Sequence, residues 1–185
     1  MKKTGIILNI AIIFFSSLAH SQGRYYTKNG KISFFSTTSV ENINAFNKSA
    51  VCLLDSKTGD LQFAVLQKGF EFKKALMQEH YNSDFVESDK YPKSEFKGAI
   101  TNNNAVNYSI NGIYPANVKG TLSIHGVTKD IETPGTITVK DGNLSANSVF
   151  IIALASYNIS VPGLYRDNIS KTIKITVDCS LEAMK

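Results

Sequence analysis

Between Thr172 and Glu182 an apolar side chain stands at every second position, and this alternation constrains the chain more than any other feature. Successive side chains of a β-strand leave on opposite faces. A period of two therefore gathers Ile173, Ile175, Val177, Cys179 and Leu181 on one side and Lys174, Thr176, Asp178 and Glu182 on the other. Shorter runs of the same kind recur, separated by Gly, Asn, Asp or Pro, and the spacing predicts strands over residues 31–36, 49–55, 60–67, 94–101, 117–125, 131–139, 143–154 and 172–181. Asp55 to Gly59 and Lys140 to Asn143 have the composition of hairpin loops. About eight short strands with turn signals between them imply an all-β antiparallel sandwich or barrel.

One stretch breaks the pattern. Residues 73–81 contain helix formers, with Phe72, Leu76 and Met77 at helical spacing, and Asn82, Ser83 and Asp84 end the run. This predicts one short helix between the third and fourth strands, covering one end of a closed sheet. An eight-stranded barrel has an interior that is either filled by side chains or holds one small or elongated ligand.

The first residues bound the compartment. Lys2 and Lys3 precede an apolar run from Ile6 to Leu18, and Ala19 and Ser21 are small residues three and one before a break, the pattern of a secretory signal peptide over residues 1–21. Residues 22–185 would then form one exported domain, periplasmic or secreted, without stable membrane insertion. Cleavage removes two lysines and no acidic residue, lowering the formal charge of +5 to a weakly basic value. The remaining basic residues are dispersed, which argues against a nucleic-acid partner. Cys52 and Cys179 lie in apolar runs far apart in the chain. Spacing cannot supply the Cα separation a bridge needs, so they read as buried thiols rather than a disulfide.

Two candidate constellations are weak. His125 ends a strand-like run beside Gly126, where alternation turns it away from the core, and no Ser, Cys or acid is fixed beside it by spacing. It reads as a residue whose imidazole pins a turn rather than as a general base. Glu79, His80, Asp84, Glu87 and Asp89 match no metal-ligand spacing and read as a solvated helix end and loop. No catalytic residue, metal or cofactor is expected. The candidate ligand-binding set is apolar: Phe63, Val65, Phe72, Leu76, Met77, Phe85, Phe96, Leu122, Ile124, Phe150, Ile152 and Leu154. Among these the helix residues Phe72, Leu76 and Met77 are favoured for lining an opening, since Met adapts to irregular ligands.

Residues 118–129, from Val118 through Gly120, Leu122, Ile124, His125, Gly126 and Val127 to Thr128 and Lys129, resemble the G-x-L-T-I-H-G-V-T-K stretch of the YceI-like family, with Ser123 in place of Thr. Residues 84–98, with Tyr91-Pro92 leading to Phe96 and Gly98, are similar to that family's passage from a helix end into a strand. The resemblance implies an exported lipocalin-like barrel whose apolar interior encloses an isoprenoid (polyprenyl or quinone-type) or similar long-chain lipid, as a carrier. It transfers no catalytic residue. Two positions depart from the family: Pro115 sits where a strand usually continues, so this strand should begin later or be irregular, and Ser156 stands where relatives often carry Asp. Alternatives are a structural or stress-response module with a filled barrel, or a small-molecule enzyme using His125. Dimerisation is left open by the sequence.

Overall fold

The computed structural model describes residues 23–184. The segment read as a signal peptide lies outside the described residues. Nine strands follow in chain order: β1 (Arg24–Thr37), β2 (Asn42–Asp55), β3 (Asp60–Leu66), β4 (Glu71–Phe72), β5 (Lys93–Ile100), β6 (Gly112–Ile124), β7 (Val127–Lys140), β8 (Asn143–Ala153) and β9 (Thr172–Ala183), with one α-helix, α1 (Ala75–His80), after β4. The eight long strands are antiparallel in the order β1-β9-β8-β7-β6-β5-β3-β2, and pairing of β1 with β2 closes the sheet into a barrel. The two-residue β4 extends the outer end of β2 through Ala45↔Phe72 and Phe46↔Glu71.

Antiparallel meander topology sorts the connections by end. The β2–β3, β5–β6 and β7–β8 loops lie at one end of the barrel, and the β1–β2, β3–β5, β6–β7 and β8–β9 connections at the other. The first end is closed by packing. Leu54, Leu144 and Leu181 are each 1 % exposed and lie in one cluster with Cys52 and Cys179, at 0 %. Burying each leucine contributes about 1.5–3 kcal/mol.

Several strands are longer than their alternation suggested. β1 begins at Arg24 and β2 at Asn42, because register shifts around Thr27–Gly30 and Gly30–Ile32 interrupt the period of two without ending the ladder. β6 begins earlier, at Gly112, not later: Pro115 pairs across from Thr136 on β7, while pairing with β5 starts only at Val118, so the proline's missing N–H faces no β5 strand.

The helix is shorter than the 73–81 reading. After His80 the chain widens into a π-type turn over Tyr81–Phe85, closed by Val86 N–H donating to Tyr81 O. Asn82 Nδ2 donates to Gln78 O and Ser83 Oγ to Glu79 O, side-chain bonds to carbonyls four residues back that compete with helix propagation. Glu87, at φ 44°, then stops the segment in a left-handed conformation.

Candidate functional site

Inward side chains at the packed end meet, but those in the middle and at the other end do not. They surround a cavity of about 680 Å³, within the roughly 300–1,000 Å³ range of small-molecule sites. The strands contribute alternate residues: Ile32 and Phe34 from β1, Phe63 and Val65 from β3, Phe96 from β5, Leu122 and Ile124 from β6, Ile131 and Ile137 from β7, Phe150 and Ile152 from β8, Ile173 and Ile175 from β9. The open end is covered by α1 with the turn after it and by the β8–β9 connection, which supply Leu76, Met77, Phe85, Leu154, Leu164 and Tyr165.

All twelve apolar candidates from the sequence lie on this wall. They are not equivalent. Val65, Phe96, Leu122, Ile124 and Ile152 are buried, whereas Leu76 is 62 % exposed and stands at the rim. The sequence reading missed the aromatic corner in which Phe34 packs on Phe70 at 5.3 Å, Phe72 at 5.7 Å and Tyr81 at 5.4 Å between ring centroids. Phe70 and Phe72 come from the β3–α1 connection and Tyr81 from the turn after α1, and only barrel closure brings Phe34 to them.

A polar relay was also missed. Tyr81 Oη donates to Gln67 Oε1 at 2.6 Å, and Gln67 Nε2 donates to Ser94 Oγ at 2.6 Å. Gln67 is 2 % exposed and Ser94 9 %, and all three residues line the cavity. Tyr81 as a residue is only half-buried, but its hydroxyl is sunk among these partners, and burial pushes its pKa up. Ser94 keeps its own O–H proton to offer toward the cavity.

At the rim, three connections converge on Glu41. Lys74 Nζ lies 3.1 Å from Glu41 Oε1, and Asn168 Nδ2 donates to Oε2 at 3.3 Å, so the lysine holds the Glu41 carboxyl below its usual range. His80 Nδ1 lies 2.7 Å from Asp84 Oδ2, and the bonds from Ser83 and then His80 lower that carboxyl. The rest of the acidic run disperses, Glu87 toward His125 and Asp89 toward Lys68. Among the described residues no group of three His, Cys, Asp or Glu side chains could hold a metal ion.

His125 corrects the alternation argument. β6 ends at Ile124, and His125 (φ 52°) and Gly126 (φ 73°) form the two-residue turn to β7, so the strand's face assignment stops one residue short. Its side chain is 9 % exposed. Nδ1 lies 3.2 Å from Tyr157 O, Nε2 lies 2.7 Å from Glu87 Oε2, and the Tyr91 ring stands against it at 4.5 Å. A Cβ on Gly126 would lie 2.5 Å from the Tyr91 ring, which, with the positive φ, reserves the position for glycine. The histidine thus ties both segments that cover the open end to the β6–β7 turn, and it is not on the cavity wall.

On one side the barrel is forked. The β7–β8 ladder runs from Lys140↔Asn143 only as far as Gly135↔Ser148. Pro134, the next residue of β7, has no N–H to continue it. Ser148 Oγ donates instead to Pro134 O at 2.8 Å, and the cavity extends to Thr133, Gly135 and Ser148 at the fork.

Several solved structures share this architecture. A polyisoprenoid binding domain from Saccharophagus degradans, implicated in plant cell wall breakdown, matches with TM-score 0.77 at 13 % identity over 88 % of this chain and 99 % of its own. BcnA from Burkholderia cenocepacia matches with TM-score 0.67 at 19 % identity over 83 % and 96 %. The Campylobacter jejuni YCEI protein matches with TM-score 0.55 at 18 % identity over 100 % and 99 %. At these identities the likeness is one of fold. No curated protein matches the chain. The family model of the YceI-like domain matches residues 17–181, nearly all of the sequence, and the chain therefore belongs to the YceI-like family.

Proposed function

We propose that this protein is an exported carrier that encloses a long-chain lipid, an isoprenoid of polyprenyl or quinone type or a similar amphiphile, without chemical turnover. The observation that carries this reading is the cavity itself: about 680 Å³ walled by alternate apolar residues of the barrel strands and covered at its open end by short, separately anchored segments. A barrel serving only as a structural module would fill that space with side chains. The polyisoprenoid binding domain of Saccharophagus degradans has the same fold, which favours a ligand of that class here.

The energetics suit a chain more than a head group. Each five-carbon unit contributes roughly 3–4 kcal/mol at about 0.8 kcal/mol per buried carbon. Association costs on the order of 4–15 kcal/mol, so several buried units are needed for micromolar binding. The polar groups on the wall are few, and Gln67, Ser94 and Tyr81 already bond one another. Binding without turnover is favoured by His125, whose two ring nitrogens face the Tyr157 carbonyl and the Glu87 carboxylate rather than the cavity.

The test is native mass spectrometry and solvent extraction of freshly purified protein, followed by lipid analysis. One isoprenoid or comparable lipid per chain, recovered chemically unchanged after incubation, is the expected result. Protein that never yields lipid, even after exposure to polyprenyl alcohol or isoprenoid quinone in detergent, would remove the binding reading.

A further inference from the structure

Gln67, Tyr81 and Ser94 come from three separate segments: the turn after β3, the turn after α1, and the start of β5. The Gln67 N–H donates to Pro92 O at 2.9 Å, which fixes its backbone against the approach to β5. All three side chains line the cavity toward its covered end, where the β3–β5 connection lies. Their hydrogen bonds form a closed set. Tyr81 Oη donates to Gln67 Oε1 and Gln67 Nε2 to Ser94 Oγ, both at 2.6 Å, and among the described residues these side chains make no other hydrogen bond. Packing holds the set in place, since the Tyr81 ring lies against Phe34 at 5.4 Å, Phe70 at 5.8 Å and Phe72 at 5.0 Å.

Proton accounting shows what the set lacks. Each hydroxyl carries a single donor and the glutamine amide carries a pair, so the bonds made leave the Ser94 hydroxyl proton and one amide proton without an acceptor. Turning the amide over moves the spare hydroxyl proton from Ser94 to Tyr81 and does not consume it. Gln67 and Ser94 are buried, and a buried donor without an acceptor is costly.

We propose that the relay is a subsite for the polar end of the enclosed lipid, which sets a carbonyl oxygen against this spare hydroxyl proton. The proposal rests on the enclosing reading above and adds to it which end of the ligand lies where. A carbonyl supplies lone pairs and has no proton of its own to bury. A phosphate would bring charge against three neutral side chains, a desolvation cost that nothing in the relay offsets. With the carbonyl held near the covered end, the apolar chain runs inward toward Ile137 and Ala146, cavity residues beside the packed end. One hydrogen bond held in place by packing orients the ligand, while the buried chain supplies most of the affinity.

The experiment offers purified, lipid-free protein in detergent a mixture of geranylgeranylacetone and the hydrocarbon of the same skeleton, in which a methylene replaces the carbonyl. Native mass spectrometry reads the ratio of the two bound forms. The comparison protein is the triple variant Gln67→Met, Tyr81→Phe, Ser94→Ala, which removes the polar atoms of the relay together and strands no partner, so its fold is expected to persist. The ketone-to-hydrocarbon ratio should be about five-fold higher in the parent than in this variant, the worth of one net hydrogen bond. The infrared carbonyl stretch of the bound ketone should lie below its position in hydrocarbon solvent in the parent and return to that position in the variant. The same ratio and the same stretch in both proteins overturn the subsite and leave the enclosing reading standing. An unshifted stretch in the parent overturns the subsite whether or not the variant folds. Binding of neither compound would remove the enclosing reading and the subsite with it.

Discussion

His125 Nε2 stands 2.7 Å from Glu87 Oε2 although 38 residues separate them in the chain. Glu87 ends the segment that runs from α1 over the open end of the barrel, and the same imidazole reaches Tyr157 O in the turn after β8. One side chain therefore anchors two of the covers of the cavity to the β6–β7 hairpin.

Removing that anchor should cost stability rather than chemistry. His125→Ala leaves the Tyr157 carbonyl and the Glu87 carboxylate without their partner, and a loss of about 1–3 kcal/mol is expected in urea unfolding. Glu87 is partly exposed and can be rehydrated, so Glu87→Gln should cost less than the histidine change. A His125→Ala protein as stable as the parent would show that the contact does not hold the covers.

The two ends of the barrel should answer differently to truncation. Leu54 is 1 % exposed in the packed end, and Leu54→Ala is expected to cost about 2–5 kcal/mol by chemical denaturation. Leu76 is 62 % exposed at the rim, and Leu76→Ala should stay within about 0.5 kcal/mol. Equal losses at both sites would contradict a barrel packed at one end and open at the other.

Filling the cavity separates binding from folding. Ala146 is a buried β8 residue on the cavity wall, and Ala146→Phe puts an aromatic ring into space that the native chain leaves unfilled. Lipid recovered per mole of protein should fall at least tenfold, while stability changes by about 1 kcal/mol, less than overpacking a filled core would cost. Unchanged lipid content in the Phe variant would place the ligand elsewhere.

The Tyr81 hydroxyl gives an alkaline signature. Burial raises its pKa in the folded protein above the unfolded value of about 10. The unfolded chain thus ionises first: the contribution is fully present below pH 10 and is lost as pH rises from there toward the folded pKa. Tyr108, at the packed end, is pushed up to about 12 by burial and then by Tyr25, and acts in the same direction. Tyr81→Phe should flatten the fall in stability between about pH 10 and 12. It should also cost about 1–3 kcal/mol at neutral pH through the acceptor it strands on Gln67. The measurement is urea unfolding across pH, and an unchanged alkaline slope would remove the assignment.

Alternation determined a great deal about this protein. It gave the strand class, their approximate number and the inward face of β9, because a pleated backbone turns sequence parity directly into inside and outside. Polar turn residues and helix formers located the hairpins and α1, and the YceI-like motif at residues 118–129 named the family. Parity is silent on how far apart two inward faces lie. Leu54 and Ile137 are both buried inward residues, yet Leu54 is packed and Ile137 borders a cavity, a difference set by how eight strands close around one another. It is equally silent where the ladder slips. The bulge in β1 lets Cys179 fill the space beside Gly30, the end of β6 turns His125 inward to Glu87, and the lack of a β5 partner accommodates Pro115 within β6. Those contacts join residues remote in sequence through the closure of the sheet, and only the folded barrel could decide them.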